Sequence, residues 1–447
     1  MKSHYLEKIF YTQQPYRRLK IIVILLFLIL FAIIWALTQG AKAESDTANT
    51  TATKEKNSCV ECHTQMGEAL AHPVEAMQKD VHAEHNLSCA DCHGGDPTQF
   101  APELAMNPRK GFIAKPKPKE MAAFCGKCHS DAEFMKKFNP TMRVDQEHEY
   151  ATSVHGKRVQ QGDEKPATCI SCHGFHGIKA VNDATSPVYP LNVAATCSGC
   201  HANADYMRGY DIPTNQLEKY NHSVHAEALQ KKQDLSAPTC NDCHGNHGAA
   251  PPGVSAVANV CGTCHSRQAE MFQKSPHNDA FANMGVAGCA VCHSNHEIQT
   301  PSDELIGTND KSACVNCHTQ GDAGFAAAAT MRGMISELDE QIHDADGLLT
   351  KAAKAGMEVS RPQFELQETR NQLVNARVVV HSFSPTTLAN AVSPAIESAK
   401  KQTEEGKQAL VELRNRYKGL GLSLAFIFLA AMSVYLKIRQ IENGKNK

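Results

Sequence analysis

The chain has 447 residues, 42% of them hydrophobic and 6% aromatic, with a formal net charge of -2. That balance supplies no basic field for nucleic acid, and the length allows two to four domains. Eighteen cysteines is a large number for such a chain, and their spacing carries most of what the sequence says about function.

Residues 1–20 hold Lys2, Lys8, Arg17, Arg18 and Lys20 against a single acid, Glu7, and residues 21–37 follow without a charge, with Trp35 near the far end. Basic residues ahead of an apolar run place the N-terminus in the cytoplasm. The run exceeds the usual signal-peptide core and approaches the roughly 20 residues that span a bilayer. It therefore reads as a transmembrane signal anchor, with a signal peptide cleaved after Ala41-Lys42-Ala43 as the alternative. On either reading the following chain is exported. Residues 38–58, rich in Thr, Ala, Ser and Lys, read as a polar tether.

From 59 to 320 the string C-x-x-C-H recurs nine times: Cys59/Cys62/His63, Cys89/Cys92/His93, Cys125/Cys128/His129, Cys169/Cys172/His173, Cys197/Cys200/His201, Cys240/Cys243/His244, Cys261/Cys264/His265, Cys289/Cys292/His293 and Cys314/Cys317/His318. These motifs use all 18 cysteines. Zinc sites pair two C-x-x-C halves without requiring a histidine after each, and disulfide frameworks keep no single spacing. Two thiols that can form thioethers, followed at once by an axial imidazole, are what covalent haem attachment needs. The reading is a nonahaem c-type cytochrome domain over 59–320, mainly helical, with porphyrin in place of much of an ordinary core.

The motifs are organised in a longer repeat. His155, His225 and His277 each follow an aromatic residue by five positions (Tyr150, Tyr220, Phe272) and a serine by two (Ser153, Ser223, Ser275). A first C-x-x-C-H comes 12 to 15 residues later, a trailing histidine stands three residues past it (His176, His247, His296), and a second C-x-x-C-H closes the unit. A less regular unit opens at His82, with Met77 and Asp80 in the matching positions and Asp96 where the trailing histidine is expected. One leading motif plus four pairs gives nine haems. A second imidazole on the far side of the iron makes a low-spin centre that changes little on electron exchange, whereas methionine would raise the potential. The repeat nominates His82, His155, His176, His225, His247, His277 and His296 as distal ligands, and weighs His72, His85, His148 and His222 evenly between ligand and surface roles.

Residues 321–418 change character. Met331, Ile335, Leu338, Ile342, Ala345, Leu349 and Ala352 step by three and four, as do Leu366, Thr369, Leu373, Ala376 and Val380, and again Ile396, Ala399, Thr403, Gly406, Leu410, Leu413 and Tyr417. With breaks at 356–362 and 385–394 this predicts a three-helix antiparallel bundle. Residues 419–436 carry no charge and precede Lys437, Arg439, Lys445 and Lys447. That pattern predicts a C-terminal transmembrane helix with a cytoplasmic tail at 437–447. Both ends then lie inside and the haem domain lies in the periplasm of a bacterial inner membrane. The third helix must run toward the membrane, so the second runs away from it. That ordering brings His381 beside the haem domain as ligand to a late haem, and leaves His343 about 27 Å down the first helix.

The C-x-x-C-H-G-x-H-G strings at 169–177 and 240–248, with the helical trio behind them, resemble the multihaem cytochromes c that include pentahaem nitrite reductase, octahaem hydroxylamine oxidoreductase and tetrathionate reductase. The resemblance implies a haem-packed helical fold over roughly 59–418. In the nitrite and tetrathionate enzymes it also implies a substrate haem whose motif ends in lysine, and this chain has no C-x-x-C-K. The favoured function is electron transfer between a membrane quinol-oxidising partner, a cytochrome b or iron-sulfur subunit, and periplasmic acceptors or cytochromes in anaerobic-type respiration. An oxidoreductase of small nitrogen or sulfur species is the alternative, and the tether places His63 where electrons would come in.

Overall fold

The computed structural model describes residues 57–251 and 255–445. The predicted cytoplasmic N-terminus, the predicted anchor, residues 38–56 of the predicted tether and His4 lie outside the described residues. The chain divides into Met1–Ser58 and Cys59–Lys447, and the second unit holds all nine motifs. The described residues form helices and no strand.

Between 58 and 320 the helices are short, and the motifs shape them. A C-x-x-C spacing puts both thiols on one face of a single turn, and six motifs end a helix on their histidine: Cys89–His93, Pro118–His129, Cys169–His173, Pro190–His201, Cys240–His244 and Gly288–His293. The first motif lies in Ser58–Gln65. The seventh and ninth begin in tighter turns at Val257–Thr263 and Cys314–Asn316, which stop one residue short of Cys264 and Cys317. So short a helix needs its ends satisfied. The Ser88, Thr168 and Thr239 N–H groups donate to Asp91, Ser171 and Asp242 three residues on, at 2.7, 3.0 and 2.8 Å. Gly94, Gly174 and Gly245 end these turns at φ 71°, 78° and 80°, where a side chain would be strained.

The recurring serine and aromatic also have local work. Ser153 and Ser223 cap the helices that carry His155 and His225, accepting from the Gly156 and Ala226 N–H groups at 2.9 and 3.1 Å. The Tyr150 and Tyr220 hydroxyls donate to the Ala167 and Pro238 carbonyls at 2.8 and 3.0 Å, two residues before a motif cysteine. Phe272 has no hydroxyl and instead lies over Gly288, where even a methyl group would collide with its ring at 2.7 Å.

Three long helices follow: α1 (Ala323–Lys354), α2 (Ser360–Val379) and α3 (Pro385–Lys445). The α1 stripe Met331, Ile335, Leu338, Ile342, Ala345, Leu349 and Ala352 is buried throughout, against Leu366, Leu373 and Ala376 of α2 and Leu388, Val392, Ala395 and Ala399 of α3. Ion pairs Arg370–Asp346, Lys400–Glu337 and Lys401–Glu365 run between α1 and α2, α1 and α3, and α2 and α3. The break before α3 is narrower than the sequence predicts. It falls at 380–384, where Phe383 takes φ 50°, and α3 starts at Pro385 and runs through Pro394. Burial of Val392 and Ala395 on either side of Pro394 outweighs the lost backbone hydrogen bond. Tyr417, at the end of the predicted stripe, is exposed.

α3 continues past the other two helices without interruption, and its residues 414–441 are exposed on every side. Leu420, Leu424, Phe426, Ile427 and Phe428 stand there among 18 uncharged residues. By length and composition this is one candidate membrane span.

Candidate haem sites

Eight of the nine motif histidines face a second histidine. Ring centroids are 5.9 Å apart for His129–His82, His93–His176 and His244–His296, 6.0 Å for His201–His155, His318–His277 and His293–His381, 6.2 Å for His173–His247 and 6.4 Å for His265–His225. An iron held by two imidazoles has two bonds of about 2 Å, and each ring centre lies about 1.2 Å behind its nitrogen, so the centroids should stand about 6.4 Å apart. The observed spacing leaves room for one iron and nothing larger in the axial direction.

The pairing follows a rule across units. Each leading histidine faces the closing motif of its own unit: His82 with His129, His155 with His201, His225 with His265, His277 with His318. Each trailing histidine faces the opening motif of the preceding unit: His176 with His93, His247 with His173, His296 with His244. The last opening motif, with no unit after it, takes His381 from the end of α2. Adjacent units are tied by the same stretches, since the Val81 N–H donates to Ile178 and the Val224 N–H to Ile298, each at 2.8 Å.

The two classes differ in ring orientation. Trailing-histidine pairs and His293–His381 lie between 5° and 32°, whereas leading-histidine pairs lie between 36° and 83°. Several rings are fixed through Nδ1. His93 Nδ1 lies 2.8 Å from the Ile113 carbonyl, His381 Nδ1 3.0 Å from the Val378 carbonyl, His82 Nδ1 2.9 Å from Asp80 and His318 Nδ1 3.2 Å from Asp322. A carbonyl or carboxylate partner makes Nδ1 the donor and leaves Nε2 with its lone pair for a metal. Burial holds His155, His176, His225, His247, His277, His296 and His381 below the usual imidazole value, toward the neutral form that ligates.

None of the cysteines is in a disulfide, and most are half-buried. They follow one another in space as they do in sequence. Cys125 lies beside Cys169, Cys197 beside Cys240 and Cys289 beside Cys261, and each neighbouring thiol holds Cys169, Cys240 and Cys261 below the usual thiol value. Cys89 feels Cys59, Cys92 feels Cys128, Cys172 feels Cys200, Cys243 feels Cys261 and Cys292 feels Cys314. Each motif therefore has its sequence neighbours as its spatial neighbours, from the first to the ninth.

Cys264 and Cys317 are the second thiols of the two motifs that begin in tighter turns. Both are exposed, as is Cys92, whereas their motif partners Cys261, Cys314 and Cys89 are half-buried. The Cys264 and Cys317 N–H groups donate to the Cys261 and Cys314 carbonyls, three residues back, at 3.3 and 3.2 Å, and the His265 and His318 N–H groups donate to the same two carbonyls at 2.9 Å. Residues three apart lie over one another in so tight a turn, and Cys92 is exposed inside an α-helical one, so the winding does not account for the exposure of these thiols. His265 and His318, next to the two displaced thiols, still face His225 and His277. Two facing imidazoles that would hold the iron are thus present at both sites, while the second thioether at each would be made at the surface. With paired imidazoles at iron spacing and two thiols beside each, the donor sets fit covalently held haem.

The residues that the sequence weighed evenly stand elsewhere. His72, His148 and His222 are exposed, as is His85, whose ring meets Phe138 edge-on at 5.3 Å. His343 is exposed on α1. Sequence reasoning missed Asp80 as more than a serine substitute. It is 1% exposed, its Oδ1 accepts from the His82 N–H at 2.9 Å, and its Oδ2 accepts from the Gly177 and Ile178 N–H groups at 2.6 and 2.8 Å. An acid at a cap position two residues before a ligand histidine was the available signal.

Comparison with known proteins agrees at the level of class. The profile of the cytochrome c554 and c-prime family matches residues 34–94 and 260–338. The chain is also similar to the C-type polyheme cytochrome OmcC of Geobacter sulfurreducens, 21% identical over 264 residues, which are 58% of this chain and 28% of that protein. The chain thus spans little more than a quarter of the curated relative it matches. No solved structure matches it. These similarities support a multihaem c-type cytochrome, with covalently bound haem and a role in electron transfer, and show no specific likeness to nitrite or tetrathionate reductase.

Proposed function

We propose that the chain carries nine haems in sequence order along a periplasmic domain at 59–320, raised on the 321–418 bundle and anchored by spans at 21–37 and 419–436. It passes electrons between a membrane quinol-oxidising partner and periplasmic acceptors. The observation that carries this reading is the set of eight facing histidine pairs at 5.9 to 6.4 Å. When bound between two imidazoles, haem supplies one-electron exchange with little change in coordination.

The chain's own residues do the positioning. Cys59, Cys62, Cys89, Cys92 and the other 14 motif cysteines would fix each porphyrin covalently. The pairing across units makes each site depend on its neighbour, so the sites hold their spacing as one body. Gly324 supports this at the far end: its backbone lies so close to His318 that a methyl group there would collide with the ring.

The need for a partner follows from α3. From Pro385, beside the haem domain, to Gly419 is 34 residues, or about 50 Å at about 1.5 Å per residue. Neither apolar stretch contains a histidine, so this chain offers no haem ligand inside a bilayer. The bundle therefore acts as a stalk, and the eighth and ninth sites stand far from quinol in the membrane. The test is reduction of the purified chain in liposomes by a membrane-soluble quinol. The reading expects slow reduction alone and fast reduction with a cytochrome b or iron-sulfur quinol oxidase added, and fast reduction of the chain alone would contradict it.

A further inference from the structure

The pairing rule leaves one motif over. Trailing histidines His176, His247 and His296 face the opening motifs of the preceding units, and counting back one more step makes position 96 the donor for His63. Position 96 is Asp96, and it is already committed. Its carboxylate takes Lys110 Nζ at 2.5 Å, Thr98 Oγ1 at 2.6 Å and the Thr98 N–H at 3.0 Å, while its own N–H donates to the Ala105 carbonyl at 2.8 Å. The loop is closed on itself through residue 111: a Cβ at Gly94 would collide with the Gly111 carbonyl oxygen. Among the described residues no histidine ring faces His63.

The surroundings favour one class of ligand. Glu61 lies between the two cysteines of this motif and is exposed, as are Glu68, Glu75, Glu84 and Asp91 after it; the cations along the same stretch stand further along the chain, at Lys79, at Lys127, which reaches the Asp91 carbonyl at 3.5 Å, and at Lys179, which reaches the Lys79 carbonyl at 3.0 Å. Like charge disfavours an incoming anion, and the effect is strongest for the nearest group.

Resting on the reading that the motifs carry haem, we propose that the site at Cys59, Cys62 and His63 keeps an exchangeable sixth position. It takes a small uncharged donor such as nitric oxide, carbon monoxide or hydroxylamine in preference to anions such as nitrite or azide. This makes one end of the row a ligand-binding site, while the other eight sites are closed by paired imidazoles.

The test uses the full-length holoprotein in detergent. Ferric electron paramagnetic resonance should show one high-spin haem among nine, and the reduced protein should bind one carbon monoxide per chain. Nitric oxide should bind at the same site, and azide at least about tenfold more weakly than in a chain carrying Glu61→Lys, where a nearby cation replaces the anion. The double variant Cys59→Ala/Cys62→Ala should lose both the high-spin signal and carbon monoxide binding. If that variant does not mature, Glu61→Lys still decides, because an open haem elsewhere would not feel residue 61. Nine low-spin haems with no carbon monoxide binding, or azide affinity unmoved by Glu61→Lys, would overturn the proposal while leaving the electron-transfer reading intact. A chain without haem would remove both.

Discussion

The rings of His293 and His381 face each other at 6.0 Å with planes 19° apart, although 88 residues separate them and they belong to the haem region and to the end of α2. The contact is fixed from both sides. Arg377, one turn before His381, forms two hydrogen bonds to Asp303 at 2.9 and 2.8 Å, and Arg267 reaches Asn375 at 3.0 Å. His381→Ala should therefore open one site, adding one high-spin ferric haem that binds carbon monoxide. His343→Ala, on the exposed face of α1, should leave the spectrum unchanged. Electron paramagnetic resonance of the two variants checks the pair.

The ring angles predict two kinds of low-spin signal. His82–His129 and His277–His318 cross at 83° and 80°, whereas His173–His247 and His244–His296 lie at 5° and 15°. Crossed imidazoles bring the iron d orbitals close in energy and give a highly anisotropic signal; parallel ones give an ordinary rhombic signal. Ferric spectra should contain both. Replacing His82 or His277 should reduce the anisotropic class, and replacing His247 or His296 the rhombic one.

Asp80 should matter to stability as well as to ligation. Burial alone would push its carboxyl up, but hydrogen bonds from the His82 and Ile178 N–H groups and the His82 ring hold it below its ordinary value. A lowered carboxylate contributes stability above its unfolded value of about 3.9 and loses it as the pH falls through the folded value. Asp80→Ala should cost on the order of 2 kcal/mol at neutral pH by leaving buried N–H groups without a partner. Denaturant midpoints at pH 7 and pH 3 check this: the wild-type advantage should shrink on acidification.

Much of this was legible in the sequence because covalent haem attachment is a local code. Cysteine spacing nominated the motifs, and fixed offsets nominated His155, His225 and His277 as leading residues and His176, His247 and His296 as trailing ones. What was not legible was which histidine faces which motif, because that depends on how one unit lies against the next. A histidine three residues past its own motif is too near to cross to the far side of the same iron, and in the structure each one reaches the preceding unit instead. Nor does the motif string distinguish the tighter turns at the seventh and ninth motifs from the helical ones, since the spacing is the same in both. The α1 stripe was readable from its period of 3.6. The first three turns of α3 were not, because Pro385 and Pro394 weigh against a helix locally while Leu388, Val392 and Ala395 stabilise it through burial.

The bundle and the apolar stretch should separate cleanly in solution behaviour. At Gly406 a Cβ would stand 2.9 Å from Leu348 Cβ, so Gly406→Leu should destabilise the α1–α3 contact by about 1–3 kcal/mol. A chain ended after Lys418 and exported by a cleavable signal should purify without detergent and keep the haem spectrum of the full-length protein, with membrane partition and haem content as the two readouts.

Every site assignment depends on iron porphyrin being held at each C-x-x-C-H. Intact-mass spectrometry of the mature chain tests this most directly. The account predicts a mass equal to the polypeptide plus nine haems, retained under denaturing conditions because each is joined through two cysteines. A mass equal to the bare polypeptide, or one that accounts for only a few haems, would contradict it.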